Sequence, residues 1–326
     1  MMEWLKQFGI VDFGYTEDLT PSSLKQYEEW VQKNHHYPLS YLADERKIKR
    51  EHLSNFWSES QSALVFLFSY HQSHTDLQSF YQSNKEWNGL KLASFTLGFD
   101  GLDYHEVLKK KLNDIGEKIK VEYNVDYKFV LDTHPVLERD LAYRAGLGWF
   151  GKNSMLISKK HGSFVMIGSL LLNKKINIES RQLDVDHCGQ CQKCVEACPT
   201  QAIDSETRTI KAFDCISTYT IEQFKESEPV SDKMNLSSGF IFGCDICQDV
   251  CPWNKRIDRL NHFKGQVFSD TGKMITDFFL KNDVSKVKDE VLKMSGGEFG
   301  RKFQQTSFFR SGKRGLLKNL LRYLKN

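Results

Sequence analysis

Cysteine is missing from the first 187 residues and the last 75 of this 326-residue chain; all eight cysteines fall between Cys188 and Cys251. A disulfide framework is not expected from such clustering in a reducing compartment, whereas a metal site is. Long hydrophobic runs are missing too. The best apolar stretch, Ala63–Phe68, is far too short to span a bilayer, so no membrane partner is expected. Glu3 and Lys6 interrupt the N-terminus before a secretory core can form, which makes the cytoplasm the expected compartment. There is no low-complexity tract. Proline is scarce, and two of the six, Pro199 and Pro252, directly follow cysteines.

What is present is the usage of a globular protein, with 40% hydrophobic and 27% charged residues, which excludes a disordered or fibrous chain. The length suggests two or three domains. Net charge is only +3, but residues Arg301 to Asn326 carry eight basic side chains and no acidic one. Removing that segment leaves −5 for the remainder, so an anionic partner is expected at the basic end.

The N-terminal part reads as mixed α/β. Periodicity predicts helices over Ser22–Gln32, Tyr104–Val121 and Val136–Ala145, the last stopped by Gly146. Buried strands are expected at Ala63–Tyr70 and Lys128–Leu131, and a hairpin from Ser154–Ile157 and Phe164–Leu172 around Lys159–Gly162. After Asn173 the texture turns polar, which places a boundary near residues 174–184. The final helix puts Leu316, Leu317, Leu320, Leu321 and Leu324 on one face, with Lys318, Arg322 and Lys325 opposite.

The run Cys188-x-x-Cys191-x-x-Cys194-x-x-x-Cys198-Pro199 has the bacterial ferredoxin spacing for [4Fe–4S] clusters. Cys244-x-x-Cys247-x-x-x-Cys251-Pro252 repeats its second half, and Cys215 supplies the missing thiolate. Crossed ligation assigns Cys188, Cys191, Cys194 and Cys251 to one cluster, and Cys198, Cys215, Cys244 and Cys247 to the other. Spacing alone leaves open a sequential partition of the first and last four cysteines, and a pair of four-cysteine zinc sites. Gly146-Leu147-Gly148-Trp149-Phe150-Gly151 satisfies G-x-G-x-x-G, but a helix precedes it and a strand follows. That is the reverse of a dinucleotide fingerprint, so a helix stop with a tight loop is the expectation.

Asp132-Thr-His-Pro-Val-Leu-Glu-Arg-Asp140, continuing to Gly146-Leu-Gly-Trp-Phe-Gly-Lys-Asn153, resembles the epoxyqueuosine reductase family. Asp103-Tyr104-His105 and Cys244-Asp-Ile-Cys-Gln-Asp-Val-Cys-Pro-Trp-Asn254 match it in order, so the resemblance spans roughly Leu42 to Asn254. That family is cobalamin-dependent and similar in core to reductive dehalogenases. The resemblance implies an α/β (α+β) cobalamin-binding domain over residues 1–178 and a ferredoxin-like double [4Fe–4S] domain over 179–258. A short helical basic segment, 259–326, would follow where longer members continue into helical repeats.

The implied reaction reduces epoxyqueuosine at the wobble position of tRNA to queuosine, with an external electron donor and a monomeric enzyme. Opening an epoxide to an alkene takes two electrons and protonation of the departing oxygen. The resemblance puts the proton donor at Asp132; from the residues alone it is equally a turn or cap aspartate before Pro135. Burial against a corrin would help a carboxylic acid keep its proton. Implied cobalamin contacts are Arg50, Tyr104, Asp132, Lys152, Asn153, Ser154, Ser217 and Tyr219. His134 reads as a loop histidine with a local partner. For RNA the basic end offers Phe309, Arg310, Lys313 and Arg314, with Phe308 beside them, since loop bases are held by stacking and phosphate contacts. The alternatives are a ferredoxin-type electron-transfer protein and a cobalamin-dependent reductive dehalogenase of a small substrate.

Overall fold

A computed structural model describes residues 3–260 and 268–325 of the chain; 261–267 and 326, in the expected C-terminal segment, lie outside the described residues. Backbone contacts divide the chain into two units, each assembled from separate stretches. The first takes residues 1–69, 105–192 and 203–209, and the second takes 70–104, 193–202 and 210–326.

The first unit is built on a four-stranded sheet of β1 (Ile10–Thr16), β2 (Ser62–Ser69), β3 (Tyr127–Val130) and β4 (Val165–Leu172) in the order β1-β2-β4-β3. Every neighbouring pair is antiparallel, with Phe13 opposite Phe66, Val65 opposite Ser169 and Phe129 opposite Leu170. The domain is therefore of the α+β kind, as antiparallel pairing requires. β2 is apolar from Ala63 to Phe68 because it is interior and covered on both faces. Ala63, Val65 and Leu67 pack with Leu141 and Ala142 of the helix Glu138–Arg144. On the opposite face Phe68 meets Leu112 over Gly168, and the helix Tyr104–Tyr123 buries Leu108, Leu112, Ile115 and Ile119 at helical spacing.

The helix Glu138–Arg144 is anchored by a buried ion pair, Arg144 Nε to Asp140 Oδ1 at 2.5 Å. Asp140 also accepts from the Ser22 hydroxyl at 2.8 Å and the Ser23 amide at 2.7 Å, and Arg144 donates to the Asp18 carbonyl. Both Asp140 oxygens are fully engaged, whereas Arg144 Nη2 is left buried without a hydrogen-bond partner.

The expected hairpin between Ser154–Ile157 and Phe164–Leu172 does not form. Leu156–Ile157 pairs instead with Trp149–Phe150, and β4 lies between β2 and β3. Ser154 sits in the turn of the short pair at φ +65°, so it cannot extend a strand, and the lone bridge Ser158 to Gly162 lies between the expected arms. The apolar length of β4 reflects its interior position in the sheet.

The second unit is mainly helical. Asp270–Leu280, Val284–Lys293, Gly296–Phe303 and Phe308–Tyr323 enclose Phe278, Phe279, Phe299, Phe303, Phe308, Leu316 and Leu320, beside a short parallel pair of Phe240–Phe242 with Lys91–Leu92. Phe279 and Phe308 stack at 4.7 Å between ring centroids. The basic end is thus part of a packed core. Lys318, expected on the solvent face, is buried: its ammonium donates to the Tyr219 and Gln223 carbonyls at 2.5 and 2.6 Å and lies 3.7 Å from the Tyr219 ring centroid. Asn319 beside it donates to the Thr220 and Ile241 carbonyls. The helix buries a polar flank as well as its leucines. Desolvation accordingly lowers the Lys318 ammonium to about 8.

Candidate active site and iron–sulfur centres

Asp132 follows the end of β3 by two residues, and its side chain keeps about a third of its surface, 35%, open to solvent. His105, one residue into the helix Tyr104–Tyr123 and mostly buried, brings Nε2 to 3.0 Å from Asp132 Oδ1 and 3.2 Å from Oδ2. The turn after Asp132 is held by the His134 amide donating to the Leu131 carbonyl and the Val136 amide to the His134 carbonyl. His134 accepts the Leu131 amide at Nδ1, with its ring edge-on to Phe56 and Phe129, so it has the local partner expected of a loop histidine. Desolvation lowers its pKa.

Beyond the turn, Glu138 opens the next helix with its Oε2 buried and without a hydrogen-bond partner. Burial, and then the negative field of Asp132, push this carboxyl up to about 8, while Arg139 and His105 oppose the shift. Glu138 was not singled out in the sequence, where an acidic residue in a first helical turn reads as a favourable end charge. His105 was visible only as part of a matching tripeptide.

The glycine loop obeys the helix-stop reading. Gly146 has φ +71°, and a side chain on Gly148 would strike the Ile157 carbonyl oxygen at 2.3 Å, so the close approach is to the chain's own backbone. The turn Lys152–Asn153–Ser154 is tied to both neighbours. Arg139 Nη1 donates to the Ser154 carbonyl at 2.5 Å, and the buried Lys152 ammonium donates to the carbonyls of Gly189 at 2.8 Å and Cys191 at 3.0 Å. Asn153 is buried and receives the Met155 amide. Within the first unit, then, hydrogen bonds connect the helix that follows Asp132 to the expected cofactor loop, and that loop to the start of the cysteine run. Arg208 completes the anchoring by pairing with Asp186 at 2.7 Å, holding that carboxyl down to about 2, while Asp186 accepts the Cys188 amide.

Arg50 is buried, with Nη1 lacking a hydrogen-bond partner. Tyr104 is half-buried, its ring edge-on to Phe95. Tyr219 packs with Ile216, Met234, Leu236 and Phe240 under Lys318, and the Ser217 amide is turned onto the Cys215 sulfur. Of the expected nucleic-acid residues, Phe309, Arg310 and Arg314 are exposed. Lys313 instead donates to the Leu292 and Met294 carbonyls, and Phe308 is fully buried, so it offers no stacking face.

None of the eight cysteines forms a disulfide. Cys194, Cys198, Cys215, Cys244, Cys247 and Cys251 all fall in the second unit, so the division does not by itself separate two ligand sets. Burial raises the thiols of Cys215, Cys244 and Cys247. The charge of Cys198 adds to the first, that of Cys247 and Cys215 to the second, and that of Cys215, Cys194 and Cys198 to the third. Facing thiols of this kind become thiolates together only around a cationic centre, which an iron–sulfur cluster supplies. Backbone amides already point at the sulfurs: Ala202 at Cys198, Ser217 and Thr218 at Cys215, Ile246 at Cys244. Of the other expected set, Cys188 and Cys191 belong to the first unit and Cys194 and Cys251 to the second. Among the described residues no three His, Cys, Asp or Glu side chains converge as ligands of one ion. The Cys244–Cys251 segment is braced by Asp245, which accepts from the Ser94 amide and hydroxyl at 2.6 Å each. No described helix is long and apolar enough to cross a membrane.

Residues 187–254, which contain all eight cysteines, match the 4Fe-4S double cluster binding domain, and residues 50–133 match the family described as epoxyqueuosine reductase QueG, DUF1730. An epoxyqueuosine reductase of Cyclobacterium marinum is 37% identical over 251 residues, 76% of this chain and 74% of that protein. The fold is similar to that of the enzyme from Streptococcus thermophilus, with a TM-score of 0.77 at 24% identity over 99% of this chain and 79% of that one. It is also similar to an epoxyqueuosine reductase crystallised with an epoxyqueuosine-modified tRNA-Tyr stem loop, with a TM-score of 0.75 at 23% identity and the same coverages. These matches define an iron–sulfur oxidoreductase. The chain belongs to the epoxyqueuosine reductase family.

Proposed function

We propose that this chain reduces epoxyqueuosine in the wobble position of tRNA to queuosine, using cobalamin recharged by two [4Fe–4S] clusters. The observation that carries the reading is the Asp132–His105 pair, followed in the same unit by the helix whose Arg139 holds the Ser154 loop, itself tied through Lys152 to the cysteine run. An acid, a loop for a large cofactor and an electron entry stand in that order.

Deoxygenation breaks both C–O bonds of the epoxide and forms one C=C bond. It consumes two electrons and two protons and releases the oxygen as water. Bound cobalamin supplies the low-potential reducing power. The orphaned donor Arg50 Nη1 fits such a group, because a corrin amide carbonyl would satisfy it. Asn153 and Ser154, with Tyr104, offer further polar contacts. Asp132 gives its proton to the departing oxygen, and His105 holds the carboxyl in one orientation. Cys188, Cys191, Cys194 and Cys251 would hold one cluster, and Cys198, Cys215, Cys244 and Cys247 the other. An external donor feeds electrons to a single chain in the cytoplasm, where its tRNA substrate is found.

The reading is tested by incubating tRNA that carries epoxyqueuosine with the reconstituted, reduced protein and analysing its nucleosides. Queuosine is the expected product, and unchanged epoxyqueuosine contradicts it. For RNA docking, Phe309, Arg310 and Arg314 are the exposed residues among those expected to contact nucleic acid. Point changes are the proper probe, because removing the segment would strip Phe308, Leu316 and Leu320 from the core. Arg310→Ala with Arg314→Ala should weaken tRNA binding and reduce the slope of log K against log salt by roughly one unit per arginine. An unchanged slope would place the phosphates elsewhere.

A further inference from the structure

Charge and hydrogen bonding around an iron–sulfur cluster set its reduction potential. Crossed and sequential ligation alike put Cys188 and Cys191 on the same cluster. The turn that carries them is closed by the Cys191 amide donating to the Cys188 carbonyl at 3.0 Å. Two cationic side chains of the first unit stand by this turn. Arg208 is neutralised: its Nη1 and Nη2 pair with the two oxygens of Asp186 at 3.1 and 2.7 Å, and Asp186 also accepts the Cys188 amide. Lys152 has no such partner. Its ammonium, on a residue only 9% exposed, donates to the Gly189 carbonyl at 2.8 Å and the Cys191 carbonyl at 3.0 Å. Among the described residues no carboxylate pairs with it. A buried ammonium held by neutral carbonyls alone is costly, because those dipoles replace water and bring no opposite charge. An anionic cluster on Cys188 and Cys191 supplies that charge.

We propose that Lys152 is the positioning residue of this cluster and the fixed positive charge that favours its reduced state. The inference rests on the iron–sulfur reading of Cys188 and Cys191, and is independent of the tRNA substrate. One electron from the external donor adds one negative charge to the cluster and its thiolates, with no covalent bond made or broken. An uncompensated cation beside the ligating turn attracts that charge, the more so where the local dielectric is low. The same ammonium gathers two carbonyls of the turn, so one side chain fixes both the geometry and the charge. Lys152 precedes Asn153 and Ser154 in the loop expected to meet the corrin, but its role differs from theirs: it serves the electron entry.

The test is a redox titration of the reconstituted protein followed by electron paramagnetic resonance, with Lys152→Gln and Lys152→Arg beside the wild type. The relevant signal is the one lost in Cys188→Ala. Glutamine can still donate to a carbonyl but carries no charge, whereas arginine keeps both properties. Lys152→Gln should make this cluster harder to reduce, lowering the equilibrium constant about tenfold, which is about 59 mV for one electron. The potential of the other cluster and the affinity for cobalamin should stay at their wild-type values. Lys152→Arg should restore the wild-type potential. If Lys152→Gln assembles no such cluster, Lys152→Arg decides: a cluster at the wild-type potential there upholds the role of charge, and loss from both variants overturns it. An unmoved potential in Lys152→Gln, or an equal shift in both variants, would also overturn the proposal. Weaker cobalamin binding with an unmoved potential would make Lys152 a corrin contact instead. A wild-type protein without any [4Fe–4S] signal would remove the cluster reading itself, and the proposal with it.

Discussion

Asp132→Asn should retain both clusters and bound corrin while lowering single-turnover reduction of epoxyqueuosine tRNA by roughly 10²–10⁴-fold, the usual range for a positioned acid. Asparagine preserves the size of the side chain and can still accept from His105 Nε2, so the turn between Leu131 and Val136 should stay in place. What it lacks is a carboxylic proton. Pre-reduced enzyme isolates this step from electron delivery, and a normal rate in the variant would mean that water or another side chain protonates the oxygen.

The second large effect concerns ligand assignment. Cys198→Ala should cost one of the two clusters and reduce multiple turnover to near background, since electrons then have no continuous route. Its sulfur receives the Ala202 amide at 3.3 Å, and its charge acts on Cys215 and Cys247, although that of Cys194 acts on Cys247 as well. Cys188→Ala made in parallel gives the contrast. Crossed ligation predicts that the two variants lose different electron paramagnetic resonance signals. Loss of the same signal in both would establish the sequential partition.

Much of this arrangement is visible in the residues themselves. Ala63–Tyr70 reads as a buried strand, found at Ser62–Ser69, because an interior strand is apolar on both faces, and the helix from Tyr104 repeats its leucines and isoleucines at the spacing its buried face demands. The cysteine spacing is legible because cluster chemistry constrains it within a short stretch. Other features depend on partners distant in sequence. Phe164–Leu172 has the composition of a hairpin arm, but the strands it pairs with begin at Ser62 and Tyr127. Lys318 looks solvated on a helical wheel, and only the carbonyls of Tyr219 and Gln223, about a hundred residues earlier, explain its burial. Glu138 carries no signal of its own, because its environment is made by Asp132 and by a helix that starts more than thirty residues before it. The two compact units are likewise interleaved along the chain, a property that a linear division into segments does not express.

The central claim is that cobalamin chemistry, fed by the clusters, removes the epoxide oxygen from the tRNA base. The most direct measurement is nucleoside mass spectrometry of epoxyqueuosine tRNA after incubation with the iron–sulfur-reconstituted, reduced protein, with cobalamin either supplied or withheld. The account predicts queuosine only when cobalamin is present, with tRNA binding unchanged in its absence. Equal conversion without cobalamin, or none with it, would contradict the account.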